Sequence, residues 1–266
     1  MDKQSLQALQ NPVISLAIQA GARILDFYRY GYDVEQKSDQ TPLTQADIAA
    51  HEIIDAGLRA LTPDLPIISE EGSSIPFEVR RQWPIYWLVD PLDGTREFIR
   101  RNDEFTVNIA LIENGRPIMG LVHAPELEQC YFAIKGLGAY KKANDKKPKR
   151  IYVKSKCGDT VVIAGSHSHP SDEYNRFIAN IGEYDMLSMG SALKSCLVAE
   201  GAADIYARLG PTSEWDTAAA QCIVEEAGGK LTDTNMQPLR YNTKDSLLNP
   251  HFFVFGDCYV DWSKYL

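Results

Sequence analysis

The chain is poor in paired cysteines, in basic charge and in long apolar runs, and each shortage closes off a class of function. Its five cysteines (Cys130, Cys157, Cys196, Cys222, Cys258) are odd in number and far apart. No Cys-x-x-Cys pair occurs, which excludes a disulfide framework and a zinc knuckle and points to a reducing compartment. The net charge of -9 argues against general nucleic-acid binding. It does not argue against small anionic substrates, because a local metal ion can reverse the sign of a site. No segment approaches the ~18 consecutive apolar residues of a membrane span. Met1 to Gln10 is polar and has no signal-peptide core, so the expected location is cytoplasmic, with peripheral attachment to the inner face of a membrane left open. There is no internal repeat and no low-complexity tract. What remains is an ordinary globular composition, 44% hydrophobic and 24% charged, in 266 residues. That length suits one large domain or two closely apposed smaller ones.

The most informative stretch is Trp83 to Phe98, Trp-Pro-Ile-Tyr-Trp-Leu-Val-Asp-Pro-Leu-Asp-Gly-Thr-Arg-Glu-Phe. It begins as an apolar strand and breaks into carboxylates at Asp90 and Asp93. On a straight strand, residues three apart are roughly 10 Å from each other and on opposite faces. They could not share an ion whose oxygens lie at about 2.1 Å. Pro91 cannot continue a ladder and Gly94 tolerates unusual backbone angles, so a turn at 91–94 is expected to bring the two acids together. Like charges about 4 Å apart repel by roughly 4 kcal/mol at an effective dielectric near 20. A divalent cation relieves that repulsion.

Other acids also stand at the ends of expected elements. Residues 11–30 have the helical period, with Ile14, Ala17, Ile18, Gly21, Ile24, Leu25 and Tyr28 on one face. Gly31 to Pro42 reads as a hairpin or loop. Thr44 opens a second amphipathic helix with Ile48, Ile54, Leu58 and Leu61 inward, and Thr-x-x-Asp makes Asp47 either a capping carboxylate or one aimed at the Asp90 cluster. A short strand, Leu65 to Ser69, runs into Glu70. Strands over 105–113, 117–125, 129–135 and 139–142 form an antiparallel meander. The basic run 141–150 is expected to be a poorly structured connector and marks a boundary between domains 1–145 and 146–266. Beyond it, strands and helices alternate, as in a smaller α/β domain. There Asp216 reads either as the N-cap of the helix 216–228 or as a further metal ligand.

Together Asp47, Glu70, Asp90, Asp93 and Asp216 suggest an oxygen-rich site that favours Mg²⁺ over zinc. An EF-hand fails, since its third and twelfth positions would be Leu92 and Arg101. A covalent aspartyl phosphatase fails because Pro91 stands where the nucleophile belongs. No P-loop is present. Metal-assisted attack of water on a phosphate survives these tests.

Two segments, Trp-Leu-Val-Asp-Pro-Leu-Asp-Gly-Thr (87–95) and Glu-Trp-Asp-Thr-Ala-Ala (214–219), resemble the signatures of the lithium-sensitive, Mg²⁺-dependent phosphatase superfamily that includes inositol monophosphatase. Thr-Arg-Glu-Phe (95–98), Glu-Phe-Thr-Val-Asn-Ile-Ala-Leu (104–111), Gly-Ser-Ala-Leu-Lys-Ser-Cys (190–196) and Leu-Asn-Pro (248–250) are similar to the bacterial 3′(2′),5′-bisphosphate nucleotidases within it. The resemblance covers roughly residues 12–255. It implies a five-layer αβαβα sandwich of α+β and α/β parts, with the active site in a cleft between two domains.

By the same resemblance, Glu70, Asp90 and the Leu92 carbonyl hold one Mg²⁺, and Asp90, Asp93 and Asp216 hold a second; two or three ions, and inhibition by Li⁺, are implied. Thr95 with Asp47 behind it orients and deprotonates the attacking water. The amides of Gly94 and Thr95 bind the phosphate, which Glu70 and Asp216 border. His167, Ser191, Lys194 and Arg208 are candidate nucleotide contacts, although the family's Ser-Arg-Ser-His reads Ala164-Gly165-Ser166-His167 here and lacks the arginine. A solvated helix face is the alternative reading of Lys194, and a surface loop that of His167. The implied reaction is hydrolysis of the 3′-phosphate of adenosine 3′,5′-bisphosphate, or of its sulfated analogue, by a monomer or weak dimer. An inositol or sugar phosphate phosphatase of the same superfamily is the first alternative, and an inactive nucleotide- or metal-binding regulator the second.

Overall fold

A computed structural model describes residues 1–31, 34–36, 42–144, 146–166, 171–256 and 260–266. The first helix, α1 (Lys3–Tyr30), starts earlier than its apolar period indicates, because the Asp2 side chain accepts from Ser5 N and caps it. Two short strands, β1 (Val34–Gln36) and β2 (Pro42–Thr44), pair antiparallel and lead into α2 (Gln45–Leu61). The buried stripe of α1 is Leu6, Val13, Ala17, Ala20, Gly21, Ile24 and Tyr28. Ile18 and Ile48, both expected inside, are exposed at 41% and 43%. Small residues line the contact, and Gly21 faces His123 so closely that a Cβ would meet its ring at 2.8 Å.

Next come β3 (Ile67–Ser69), α3 (Phe77–Arg80), β4 (Ile85–Asp93) and α4 (Thr95–Arg100). The meander follows as β5 (Thr106–Glu113), β6 (Arg116–Ala124), β7 (Gln129–Ile134), β8 (Gly138–Ala143) and β9 (Lys149–Ile151). These strands form a seven-stranded sheet in the order β3-β4-β5-β6-β7-β8-β9. Only β3 and β4 run parallel. The basic run is therefore not a loose connector. Its two ends pair as strands, Lys141 opposite Lys149 and Arg150 opposite Tyr140, and Lys141 is neutralised by Glu200 at 2.6 Å.

The remainder is β10 (Val161–Gly165), α5 (Asp172–Ile181), β11 (Tyr184–Ser188), α6 (Leu193–Ala199), β12 (Ile205–Arg208), α7 (Glu214–Glu226), β13 (Lys230–Asp233) and β14 (Phe252–Phe255). A 3₁₀ turn, Trp262–Tyr265, follows. The second sheet has the order β11-β10-β12-β14-β13.

Strand alternation sorts the layers, since successive side chains leave opposite faces. On β4, Trp87 and Val89 pack under α1 and α2, while Tyr86 and Leu88 face α6 and α7. On β14, Phe252 and Val254 face α6 and α7, whereas Phe253 and Phe255 meet Phe177 of α5 and Trp262. The result is five layers: α1/α2, the seven-stranded sheet, α6/α7, the five-stranded sheet, and α5 with the 3₁₀ turn. In the middle layer α7 lies almost against β6, since a Cβ at Gly120 would stand 2.2 Å from the Ala219 carbonyl. That layer carries Asp216 and Lys194 inward between the sheets.

Candidate active site

The carboxylates of β4 are brought together by a bulge, not by the expected turn. Asp90 lies opposite Asn108 and Asp93 opposite Thr106, so three steps on β4 match two on β5. One extra residue in a strand cancels the alternation and puts Asp93 on the face that Asp90 uses. The turn comes one residue later, at Gly94, whose φ of 89° begins α4. Asp90 is 2% exposed, and its Oδ1 accepts from Leu92 N at 3.0 Å.

Three other segments complete the site. Glu70 extends the β3 ladder, its amide donating to Val89 O at 3.1 Å, and so stands beside Asp90. Asp216 arrives in the first turn of α7, but not as its N-cap. Ser213 is the cap, and Asp216 is the third helical residue of a capping box, accepting from Ser213 N at 2.8 Å. Glu70, Asp90 and Asp216 each present a carboxylate oxygen, all within 4.8 Å of one another. Asp93 is braced just outside that trio: its Oδ2 accepts from Ala192 N at 2.6 Å and Asn108 Nδ2 at 3.2 Å.

Asp47 closes a cap and also reaches Thr95. Its Oδ2 accepts from Thr44 N at 2.7 Å and Thr44 Oγ1 at 2.6 Å, closing the capping box of α2. Its Oδ1 lies 3.2 Å from Thr95 Oγ1. Thr95 Oγ1 is also 3.4 Å from the Leu92 carbonyl.

Electrostatics make the trio a candidate cation site. Burial, then the charges of Glu70, Asp93, Asp216 and Asp47, push the Asp90 pKa well above the carboxylate range. Burial and Asp93 do the same to Asp216. Burial also raises Asp93, against the pull of Lys194 and its two hydrogen-bond donors. Close oxygen donors whose charges repel fit a hard divalent ion, and the chain offers no nitrogen or sulfur ligand in the trio.

Lys194 is buried and holds Ser191 O at 2.8 Å, with its Nζ 5.3 Å from the Tyr206 ring centroid. It is no solvated face. Burial lowers its pKa to about 8. With Gly94, Ser191, Arg208, Asp93 and Asp216 it lines a cleft of about 340 Å³. Arg208 donates to Pro211 O at 3.0 Å, and its Nε has no acceptor among the described residues. A neighbouring cavity of about 450 Å³ shares Ser166, Tyr206 and Arg208 and is walled by Tyr174, Tyr184 and Met186. Gly165, in the arginine position of the motif, faces it with Met186 Sδ 2.3 Å from where a Cβ would be. His167 lies outside the described residues. Sequence reasoning missed Asn108 and Thr106, which brace Asp93; an Asn within the apolar run 105–111 was the available signal.

The profile of the inositol monophosphatase family matches residues 5–253. The chain belongs to that family. It is 48% identical to the 3′(2′),5′-bisphosphate nucleotidase CysQ of Salmonella typhimurium over 244 residues, 91% of this chain and 97% of that one. A crystal structure of CysQ from Bacteroides thetaiotaomicron superposes with a TM-score of 0.83 at 40% identity, covering 95% and 98% of the two chains. An IMPase of Thermotoga maritima gives 0.80 at 26% identity, covering 97% and 96%. The five layers are those of this family.

Proposed function

We propose that the protein is a Mg²⁺-dependent phosphatase that removes the 3′-phosphate of adenosine 3′,5′-bisphosphate, releasing AMP and phosphate. The convergence of Glu70, Asp90 and Asp216 beside the Thr95–Asp47 pair carries the reading. Mg²⁺, when bound, supplies positive charge that acidifies a neighbouring water and stabilises the departing ribose oxygen. Glu70, Asp90, Asp216 and the Leu92 carbonyl are the groups that would hold it, with Asp93 completing a second position. Inhibition by Li⁺ belongs to the same reading.

Thr95 Oγ1 orients the attacking water by accepting its hydrogen bond. As attack proceeds, Thr95 passes its own proton to Asp47 Oδ1 and takes one from the water. The second oxygen of Asp47, tied to Thr44, keeps the carboxylate aimed. The amides of Gly94 and Thr95 hold the phosphate being transferred, with Glu70 and Asp216 at its border. Lys194, Ser191 and Arg208 receive the second phosphate, and the orphan Nε of Arg208 is a donor ready for it. The base occupies the adjoining cavity, between Tyr174, Tyr184 and Met186. There Gly165 leaves room for Met186, so this chain holds the base by apolar contact where an arginine stands in the common motif.

The names of the CysQ relatives and the cavity beside the cleft support a nucleotide over a bare inositol ring. Residues 1–145 carry every proposed metal ligand except Asp216, which 146–266 deliver across the cleft. The proposed protein is a cytoplasmic monomer or weak dimer, in keeping with Cys130, Cys196 and Cys222, which are buried and free. Phosphate release from a panel of the bisphosphate nucleotide, its sulfated analogue and inositol 1-phosphate tests the substrate. The nucleotides should be turned over best, and faster turnover of inositol 1-phosphate would contradict the assignment.

A further inference from the structure

Residues 242–249 have no helix or strand of their own, yet they wrap the first turn of α7. Asn242 N donates to Glu214 Oε2 at 2.8 Å. Leu247 O accepts from Glu214 N at 2.8 Å, and Leu248 bridges Ser213. Asn249 Nδ2 donates to Ser213 O at 2.6 Å and lies 3.0 Å from Thr217 Oγ1. Every one of these contacts falls on residues 213–217, the turn that carries Asp216.

The belt is buckled to the other half of the molecule by Arg80, the last residue of α3, five residues before the Ile85 that starts β4. Arg80 is 2% exposed. Its Nη1 donates to Asn242 Oδ1 at 2.5 Å and its Nη2 to the Asp245 carbonyl, while Asn242 Nδ2 returns a bond to Arg80 O at 2.6 Å. The guanidinium also lies over the Phe77 ring, 5.0 Å from its centroid. Arg80 lines a cavity of about 390 Å³ together with Glu70, Trp215 and Asp245, so one of the three acids faces the same space. Its Nε has no acceptor among the described residues. A buried guanidinium with one donor unsatisfied is a poor device for stability alone. As a geometric clamp it is effective, because a planar fork fixes direction as well as distance.

We propose that Arg80 is a positioning residue for divalent-metal binding: through the 242–249 belt it sets the first turn of α7, and so Asp216, at the distance from Glu70 and Asp90 that one ion requires. The proposal rests on reading those three acids as metal ligands. Outer contacts of this kind typically change metal affinity by about 10–100-fold when removed.

The test is a Mn²⁺ titration followed by the electron paramagnetic resonance of free Mn²⁺, on wild type, Arg80→Met, Arg80→Lys and Phe177→Leu. Phe177 packs on Phe253 in the outer core and serves as a destabilised control. Arg80→Met should weaken Mn²⁺ binding about tenfold or more, with kcat at saturating metal within roughly threefold of wild type. Arg80→Lys should fall between, since one ammonium cannot serve both Asn242 Oδ1 and Asp245 O in a fork. Phe177→Leu should melt earlier and bind Mn²⁺ normally. Wild-type affinity in Arg80→Met, or equal weakening in Phe177→Leu, overturns the proposal. If Arg80→Met does not fold, Arg80→Lys decides on the same two criteria. A wild-type protein that binds no Mn²⁺ overturns the metal-site reading itself, and this inference with it.

Discussion

In the proposed mechanism, Asp47 serves fold and chemistry together. Asp47 uses one oxygen to cap α2 and the other to meet Thr95. Asn at position 47 retains an oxygen for the cap and loses the base. Asp47→Asn should therefore fold normally by circular dichroism and lose roughly 10²–10⁴ in kcat, the usual range for removing a general base. Near-wild-type turnover would exclude Asp47 as the proton acceptor. Arg208 tests recognition in the same way. A hydrogen bond to a charged group contributes about 1.5–3 kcal/mol, so Arg208→Met should raise KM for the bisphosphate by about tenfold or more. KM for the corresponding nucleoside 3′-monophosphate should stay unchanged; a parallel rise there would place Arg208 away from the second phosphate.

Elements decide how those residues meet. The capping boxes at Thr44 and Ser213 follow local sequence rules, and both Asp47 and Asp216 occupy the third position of one. The first was legible from Thr-x-x-Asp. The second cap was misplaced by three residues, because Asp216 itself is a good cap and Ser213 is equally good. The bulge on β4 was not legible at all. Pro91 and Gly94 announced a break, but a bulge exists only relative to a partner strand, and the pairing with Asn108 and Thr106 is not written locally. The same limit hid the pairing of the basic run. The packing of α7 on β6 through Gly120 is another long-range fact. Gly120→Val should destabilise the protein by about 1–3 kcal/mol or more, as overpacking does, and lower the melting temperature by several degrees. An unchanged melting temperature would mean that α7 can lift off the sheet without loss.

At the scale of the whole molecule, five layers exist to hold repelling carboxylates together. The motifs singled out acids that the fold brings together, but not that Asp93 would be braced by Asn108 and Ala192, or that Lys194 would be buried. The Ala192 bond joins segments 99 residues apart in the chain, and the Asn108 bond needs the pairing of β4 with β5. The arrangement has a stability consequence. Asp90, Asp216 and Glu214 all have pKa values raised in the fold. Groups of this kind favour folding while protonated, and that contribution is lost as pH rises through the folded pKa. For Glu214 the window runs from 4.5 to about 7 and is caused chiefly by burial. That single group costs about 3 kcal/mol above the window. In EDTA the melting temperature should fall as pH rises through this range, and Mg²⁺ should oppose the fall by binding the folded state alone. The gap between Mg²⁺ and EDTA curves should widen with pH; a gap that is constant or narrows would contradict the carboxylate cluster as the metal site.

The most direct measurement is phosphate release from adenosine 3′,5′-bisphosphate by wild type and by Asp90→Asn, each with Mg²⁺ and with EDTA. Asp90 lies at the centre of the acidic cluster and takes no part in any cap or core contact that asparagine could not keep. The account predicts turnover that needs Mg²⁺ in the wild type and falls by at least about 10³-fold in Asp90→Asn, as loss of a carboxylate that would hold the ion implies. Turnover that survives EDTA, or an Asp90→Asn enzyme of near-normal rate, would contradict it.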